Sequence, residues 1–157
     1  KPNRPTIVYS HGNAEDLKDA MNFADSLISQ LDVNVFVYDY TGYGWSFQCP
    51  GTPDERTVYF DIRAVIKYAT DKYKIPYSDL ILYGRSLGGG PTLYAATEFT
   101  ESNQIRGVIL ESTFCNLREV VNGVGRIAYN VAMTMSNAAN NACAKVSRAL
   151  VSSDDDE

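Results

Sequence analysis

The sequence predicts an α/β protein, a three-layer αβα sandwich built on a mostly parallel sheet. Four short apolar segments alternate with amphipathic segments of helical length along the 157 residues. Strands that alternate with helices form parallel sheets through right-handed crossovers. The apolar segments are continuous rather than alternating, which is typical of strands covered on both faces. With 45% hydrophobic residues, a chain of this length can bury the core that such a sheet needs.

The first half of the chain supplies two strands and one helix. Residues 6–9 are β-branched or aromatic and predict the first strand. Asn13 or the residues just after it begin a helix, whose apolar positions recur at steps of three and four up to Leu31. Residues 33–38 predict the second strand. The stretch 39–54 mixes glycine and proline with aromatic residues, which predicts a surface loop beside the strand ends.

The second half continues the alternation. Apolar residues keep a helical step over residues 58–73, and Pro76 marks the end of that helix. Residues 80–83 predict the third strand, residues 87–98 the helix that follows it, and residues 106–111 the fourth strand. Strands and helices are therefore predicted to alternate as far as the fourth strand.

The pattern weakens beyond the fourth strand. Residues 114–131 keep a helical step that Gly123 and Gly125 interrupt, each costing about 1 kcal/mol relative to alanine. We expect residues 1–151 to form a single partial domain, truncated at both ends. Residues 152–157 are polar and acidic and are predicted to be a disordered tail.

Composition excludes several classes of function. The formal net charge is −5, and the tail at residues 154–157 supplies four of the acids, so no basic face suggests a nucleic-acid partner. No apolar run approaches the roughly 18 residues of a membrane span. Three unevenly spaced cysteines indicate neither a disulfide framework nor a zinc pattern, and a reducing, cytoplasmic compartment is expected. The solitary histidine, His11, argues against a metal site.

The sequence Gly84-Arg85-Ser86-Leu87-Gly88 follows an apolar run and precedes a helical pattern. A G-x-S-x-G at this place presents a serine on a sharp strand-to-helix turn. We refer to these five residues as the elbow. Ser86 is the predicted catalytic nucleophile, and a β-carbon at position 84 or 88 is expected to collide with the neighbouring strand or helix. The backbone N–H of Leu87 would donate to the oxyanion of a tetrahedral intermediate.

The segment His11-Gly12-Asn13-Ala14 ends the first strand, where a second oxyanion donor is expected. The backbone N–H of Asn13 is the first candidate for this donor, and that of Ala14 is the second. Gly12 would let the chain turn back toward the serine. For His11 two interpretations remain, a side chain that supports the loop by hydrogen bonds and a general base; we favour loop support.

Three motifs in order resemble the α/β-hydrolase superfamily. They are His11-Gly12-Asn13-Ala14-Glu15-Asp16, the YDYTGYGWS segment at residues 38–46, and the elbow. The resemblance is strongest to the branch that contains alpha/beta hydrolase domain-containing protein 17, the membrane-associated depalmitoylases, and it covers residues 6–120. It implies a sheet of the α/β-hydrolase type. It also implies hydrolysis of long-chain acyl esters or thioesters, some of them on acylated proteins, through an acyl-enzyme and without a cofactor.

The chain departs from the family pattern in its triad. In the family the acid follows a later strand, usually in a segment ending His-Gly-x-x-Asp, and the base histidine follows the final strand. No histidine occurs after His11, so neither role is assigned to a residue here. The chain also starts at the equivalent of the family's third strand. We expect a part of a longer hydrolase, with any membrane association supplied by a segment outside these residues; the alternative is a non-catalytic binding or scaffold domain that keeps the fold.

The roles predicted for the other polar and aromatic residues near the strand ends are less specific. Asp39 is predicted to organise its loop by accepting the amides of residues 42–44. Glu111 ends the fourth strand, where some hydrolases of this fold place their acid, but it lacks a histidine to orient. Arg85 is expected to pair with an acid. Four aromatic residues either line an acyl pocket or pack on the sheet edge: Tyr40, Tyr43, Trp45 and Phe47.

Overall fold

The computed structural model describes residues 4–49, 51–100 and 105–114. Within them lies a four-stranded parallel sheet with the strand order β2-β1-β3-β4. The strands are β1 (Thr6–Ser10), β2 (Asn34–Val37), β3 (Leu80–Arg85) and β4 (Gly107–Glu111). The α-helices are α1 (Leu17–Gln30), α2 (Glu55–Tyr73) and α3 (Gly89–Thr100). The predicted α/β class and parallel sheet are confirmed, and each predicted strand is present.

Helices cover both faces of the sheet. On one face, alternate strand residues pack against α2 and α3 in a buried cluster that includes Val8, Leu80, Leu82, Ile62, Ile66 and Ala95. On the other face, the intervening strand residues pack against α1 in a second cluster that includes Ile7, Tyr9, Ala20 and Phe23. Residues that alternate along a strand point to opposite faces, so each strand serves two cores. The sheet and the helices on its two faces form the predicted three-layer αβα sandwich.

Helix starts differ from the sequence expectation because polar caps set them. Helix α1 begins at Leu17 rather than near Asn13, since the Asp16 side chain accepts the amides of Lys18 and Asp19. Helix α2 begins at Glu55, three residues before the apolar stripe. Asp54 and Thr57 form a capping box there, each side chain bonding the other's backbone amide.

The predicted loop 39–54 contains a short 3₁₀-helix, Gly44–Gln48. A second 3₁₀-helix, Tyr77–Asp79, leads into β3, and a third, Ser86–Gly88, connects β3 to α3. Strand β3 therefore runs two residues further than the prediction, up to the residue before Ser86. The predicted helical pattern at 114–131, apart from Phe114, and the acidic tail at 152–157 lie outside the described residues. Within those residues, no helix is both long enough and apolar enough to cross a membrane.

The strand order determines where a site can form. Strands β1 and β3 are neighbours at the centre of the sheet, but the helices that follow them, α1 and α3, lie on opposite faces. The loops after the two strands therefore diverge and leave a crevice at their carboxyl ends. In open parallel sheets, ligands bind at such a switch point.

Candidate active site

Ser86 stands on a strained turn between β3 and α3. Its φ of 51° lies in the left-handed region, which a residue other than glycine rarely adopts and which costs on the order of 1–3 kcal/mol. A β-carbon on Gly84 would lie 2.4 Å from the Gly88 carbonyl oxygen, and one on Gly88 would lie 2.0 Å from the Ser10 carbonyl oxygen. The Thr113 hydroxyl donates to the Ser86 carbonyl at 2.9 Å. The turn is thus compact, and surrounding groups hold Ser86 in its unusual conformation.

The β1–α1 loop, residues 11–16, lies next to the elbow. A β-carbon built on Gly12 would be 3.7 Å from the Ser86 β-carbon. Asn13 and Ala14 are exposed, and neither backbone amide has an acceptor among the described residues. Leu87 is the second residue of the 3₁₀-helix that starts at Ser86. The structure therefore brings the nucleophile candidate and the loop of the proposed donors together, and the donor roles themselves remain predictions.

His11 is fully buried behind the loop. Its Nδ1 lies 2.8 Å from the Gly12 carbonyl oxygen, which can only accept, so Nδ1 carries the proton. Its Nε2 lies 3.6 Å from Asp39 Oδ1, and both side chains are almost wholly inaccessible to solvent. Nδ1 is therefore engaged with the loop, whereas Nε2 and Asp39 Oδ1 face each other without a hydrogen-bond partner among the described residues. This arrangement favours loop support, because the ring is buried, Nδ1 bonds the loop and Nε2 faces Asp39.

Asp39 organises its loop through a different amide from the predicted one. Its Oδ2 accepts the N–H of Trp45 at 3.0 Å. The predicted donors at residues 42 and 43 bond instead to backbone carbonyls, Gly42 to Ser46 and Tyr43 to Tyr40. The reason is the 3₁₀-helix, which turns the amide of its second residue, Trp45, toward Asp39. The prediction of amides 42–44 was wrong by one residue.

Three tyrosine hydroxyls from the next loop support the end of β1 and the residues that follow it. The hydroxyls form hydrogen bonds with three residues in chain order. Tyr38 bonds Ser10 Oγ at 2.7 Å, Tyr40 donates to the His11 carbonyl at 2.7 Å, and Tyr43 donates to Asn13 Oδ1 at 2.6 Å. Burial raises the pKa of Tyr38 and of Tyr40 far above the ordinary tyrosine value, so both hydroxyls stay protonated. The YDYTGYGWS segment therefore holds the end of β1 and the start of the β1–α1 loop in place through its three tyrosine hydroxyls.

The four aromatic residues fall into two groups. Tyr40 and Tyr43 pack on the His11 ring, with ring centroids 4.3 and 5.8 Å from it. Trp45 and Phe47 are 87% and 65% exposed. Trp45 and Phe47 therefore do not pack on the sheet edge, because the 3₁₀-helix turns their side chains into solvent, and the lining of an acyl pocket stays a prediction.

Charged residues form a cluster on the α1 side of the elbow. Arg85 donates from Nε to Glu111 Oε2 at 3.0 Å and from Nη1 to Glu15 Oε1 at 3.2 Å. Glu111 also accepts the Tyr83 hydroxyl at 2.6 Å, and these two hydrogen bonds lower the pKa of its carboxyl. Glu111 is thus engaged with Tyr83 and Arg85 rather than free to orient a histidine. The sequence indicated that Arg85 pairs with an acid, but it gave no signal for Glu15.

Side chains that commonly bind metal ions do not converge in the described part of the chain. Among the described residues, no group of three or more histidine, cysteine, aspartate or glutamate side chains could hold a metal ion. The groups that this part of the site offers are the serine hydroxyl, the backbone amides and the charged cluster.

The fold and the elbow are those of the α/β-hydrolase class of proteins. Residues 1–156 match the model of the hydrolase family described as serine aminopeptidase, S33, and the chain belongs to this family. It is 38% identical over 109 residues to alpha/beta hydrolase domain-containing protein 17C of Homo sapiens, covering 69% of this chain and 31% of that protein. The Mus musculus protein of the same name gives the same identity, with 32% of its length covered.

A nematode relative and a solved structure extend the comparison. The chain is 40% identical over 92 residues to alpha/beta hydrolase domain-containing protein aho-3 of Caenorhabditis elegans, covering 59% of this chain and 27% of that protein. The chain thus spans about a third or less of the length of these relatives. An extracellular α/β-hydrolase from a Paenibacillus species matches with a TM-score of 0.53 at 20% identity, covering 72% of this chain and 42% of that one. This last match supports the fold alone.

Proposed function

We propose that the protein is a serine hydrolase of the acyl-thioesterase or carboxylesterase type that works through an acyl-enzyme on Ser86. The observation that carries the proposal is the left-handed backbone of Ser86, at φ 51°, on a strand-to-helix turn beside Gly12. Such a turn presents a serine hydroxyl at the top of the sheet in hydrolases of this fold, and Ser86 is partly accessible to solvent there. The proposal assigns neither the triad acid nor the base to these 157 residues.

The proposed reaction is an acyl transfer through a covalent intermediate on Ser86. Ser86 Oγ attacks the acyl carbonyl carbon, its proton passes to a base, and the bond to the leaving thiol or alcohol breaks as that group takes up a proton. The Asn13 and Leu87 amides stabilise the oxygen that carries negative charge in between; one such donor is worth about 10²–10³ in kcat. Water then hydrolyses the Ser86 ester, which releases the acid and regenerates the hydroxyl.

The substrate class rests on the resemblance of the three motifs to depalmitoylases. It favours a long-chain acyl ester or thioester, including one on an acylated protein, with no cofactor. The exposed, uncharged side chains of Trp45 and Phe47 at the strand ends are compatible with an apolar acyl group. We propose a cytoplasmic location, because three unevenly spaced cysteines form no disulfide framework.

The test is labelling of the full-length gene product with a fluorophosphonate probe. Ser86→Ala should abolish labelling. Ser112→Ala is the matched control, because Ser112 is exposed and also has a left-handed φ, 50°, after the neighbouring strand. Labelling that survives in Ser86→Ala, or is absent from the unsubstituted protein, would remove the basis for the proposal.

A second candidate is a non-catalytic binding or scaffold domain that keeps the hydrolase fold. The observation in its favour is that the single histidine of the chain, His11, is buried, with Nδ1 bonded to the Gly12 carbonyl and Nε2 facing Asp39. If the full-length protein shows no Ser86-dependent labelling but folds cooperatively, this candidate replaces the first.

A further inference from the structure

Glu15 connects three separate parts of the site. Its Oε2 accepts the backbone N–H of Gly12 and the hydroxyl of Tyr9, each at 3.1 Å. Its Oε1 accepts Nη1 of Arg85 at 3.2 Å. The carboxylate therefore joins the amide next to Asn13 to the side chain of the residue directly before Ser86.

Arg85 is held on more than one side. Besides Glu15, its guanidinium bonds Glu111 at 3.0 Å and lies over the Phe23 ring, 4.3 Å from the centroid. A guanidinium that bonds two carboxylates and rests on an aromatic face has few other positions available. Arg85 is thus a firm anchor for Glu15, and it belongs to the elbow.

The backbone pairing between β1 and β3 does not extend to the β1–α1 loop or to Ser86. The pairing of β1 with β3 ends at Ser10 and Gly84, and Arg85 already pairs with Glu111 of β4. Gly12 and Asn13 lie beyond the last β1–β3 pair. The Glu15–Arg85 ion pair bridges them to the elbow across 70 residues of sequence.

We propose that Glu15 and Arg85 are positioning residues whose ion pair fixes the β1–α1 loop, and with it the Asn13 amide, at its distance from Ser86. The inference rests on the proposed function, in which that amide binds the oxyanion. Neither residue touches the substrate; each acts through the loop or the elbow. A displacement of about 1 Å at such a site costs about 10²-fold in rate.

The protonation state of Glu15 agrees with this role. Partial burial raises the pKa of its carboxyl, but the Gly12 amide, the Arg85 guanidinium and the Tyr9 hydroxyl lower it by more, so the pKa lies below the ordinary glutamate value. Glu15 is therefore ionised at neutral pH, and the pair is an ion pair under working conditions.

The first measurement is amide hydrogen exchange at Gly12 in the full-length protein, resolved to single residues by mass spectrometry. Arg85→Gln breaks the pair but leaves the direct Glu15–Gly12 hydrogen bond available. If the pair positions the loop, exchange at Gly12 should accelerate by about tenfold or more in Arg85→Gln. Arg85→Lys, which keeps the charge, should restore part of the protection.

A matched control breaks a similar pair elsewhere. Arg106 and Asp79 also interact at 3.3 Å, at the opposite end of β3. Arg106→Gln should leave exchange at Gly12 unchanged. Equal exchange at Gly12 in Arg85→Gln and in the unsubstituted protein would overturn the inference, because the loop would then hold its position without the pair.

The second measurement is turnover of a fluorogenic acyl thioester by Glu15→Gln, Arg85→Gln and the double variant. A positioning role predicts a 10- to 100-fold loss in kcat with KM changed less than about twofold. The double variant should be no worse than the poorer single variant, since the two residues act as one unit. Losses that multiply in the double variant, or that appear only in KM, would contradict the inference.

The two proposals fail in different ways. An unsubstituted protein that shows no Ser86-dependent labelling overturns the proposed function. Labelling that is present and is equally fast in Arg85→Gln overturns the positioning role alone.

Discussion

Gly88 and Gly90 lie two residues apart but should respond oppositely to alanine. A β-carbon at position 88 would lie 2.0 Å from the Ser10 carbonyl oxygen and 2.8 Å from the His11 carbonyl oxygen. A β-carbon at position 90, in α3, would meet nothing within 4 Å. The pair therefore separates the steric requirement of the elbow from the general effect of replacing glycine.

The expected magnitudes follow from these contacts. An ordinary contact begins near 3.4 Å, so in Gly88→Ala the backbone of β1 and the elbow must separate by more than 1 Å. Overpacking of this kind costs about 1–3 kcal/mol. In Gly90→Ala the helix gains up to about 1 kcal/mol, because alanine loses less backbone entropy than glycine. Gly88→Ala should destabilise the protein and Gly90→Ala should leave its stability equal or higher.

The assay is urea unfolding at 25 °C, followed by circular dichroism, on the unsubstituted protein and both variants. The rate of fluorophosphonate labelling at Ser86 gives a second readout, and a shift of about 1 Å should slow it by about 10²-fold in Gly88→Ala only. If Gly88→Ala were as stable as the unsubstituted protein, the close packing of the elbow on the end of β1 would be refuted.

Three further substitutions test other contacts. Tyr40→Phe removes a buried hydroxyl and leaves a loop carbonyl without its donor, so the free energy of unfolding should fall by about 1–3 kcal/mol; an unchanged urea midpoint would contradict this. Asp54→Ala removes the cap of α2 and should cost about 1 kcal/mol by the same assay, with no loss if the cap is unimportant. The hydrogen bonds from Tyr83 and Arg85 lower the pKa of Glu111, so the stability this residue contributes is complete above the ordinary value of 4.5 and is lost as pH falls through the folded pKa. Glu111→Gln should therefore flatten the fall in urea midpoint on acidification, and an equally steep fall would show that the carboxylate does not contribute.

Local patterns were sufficient for the strands and the elbow. Each strand is a short apolar run bounded by turn residues, and its position depends only on that run. The elbow was recognisable because its two glycines and its serine fall within five consecutive residues. The start of α1 was placed too early, near Asn13, since apolar periodicity says where a stripe lies and not where the backbone becomes helical. The cap at Asp16 was a signal that could have corrected it.

The polar contacts of the site depend on sheet order, which the local sequence does not encode. Glu15 and Arg85 meet because β1 and β3 are neighbours, and Arg85 meets Glu111 because β3 and β4 are in register at those residues. Asp39 does organise its loop through a backbone amide, as the sequence predicted. Which amide it accepts depends on a 3₁₀-helix that the loop sequence did not predict. Contacts between residues far apart in sequence therefore set the geometry of a site that short motifs can only locate.

Two separate contacts join the carboxyl ends of β1 and β3. One link is the close approach of Gly88 to the Ser10 carbonyl, and the other is the Glu15–Arg85 ion pair. They share no residue: the first acts through the backbone of Ser10, before the β1–α1 loop, and the second acts through the side chain of Glu15, within that loop. Energetic effects at sites without shared partners add. Losses of Ser86 reactivity in Gly88→Ala and Arg85→Gln should therefore multiply when the two are combined, whereas those in Glu15→Gln and Arg85→Gln should not.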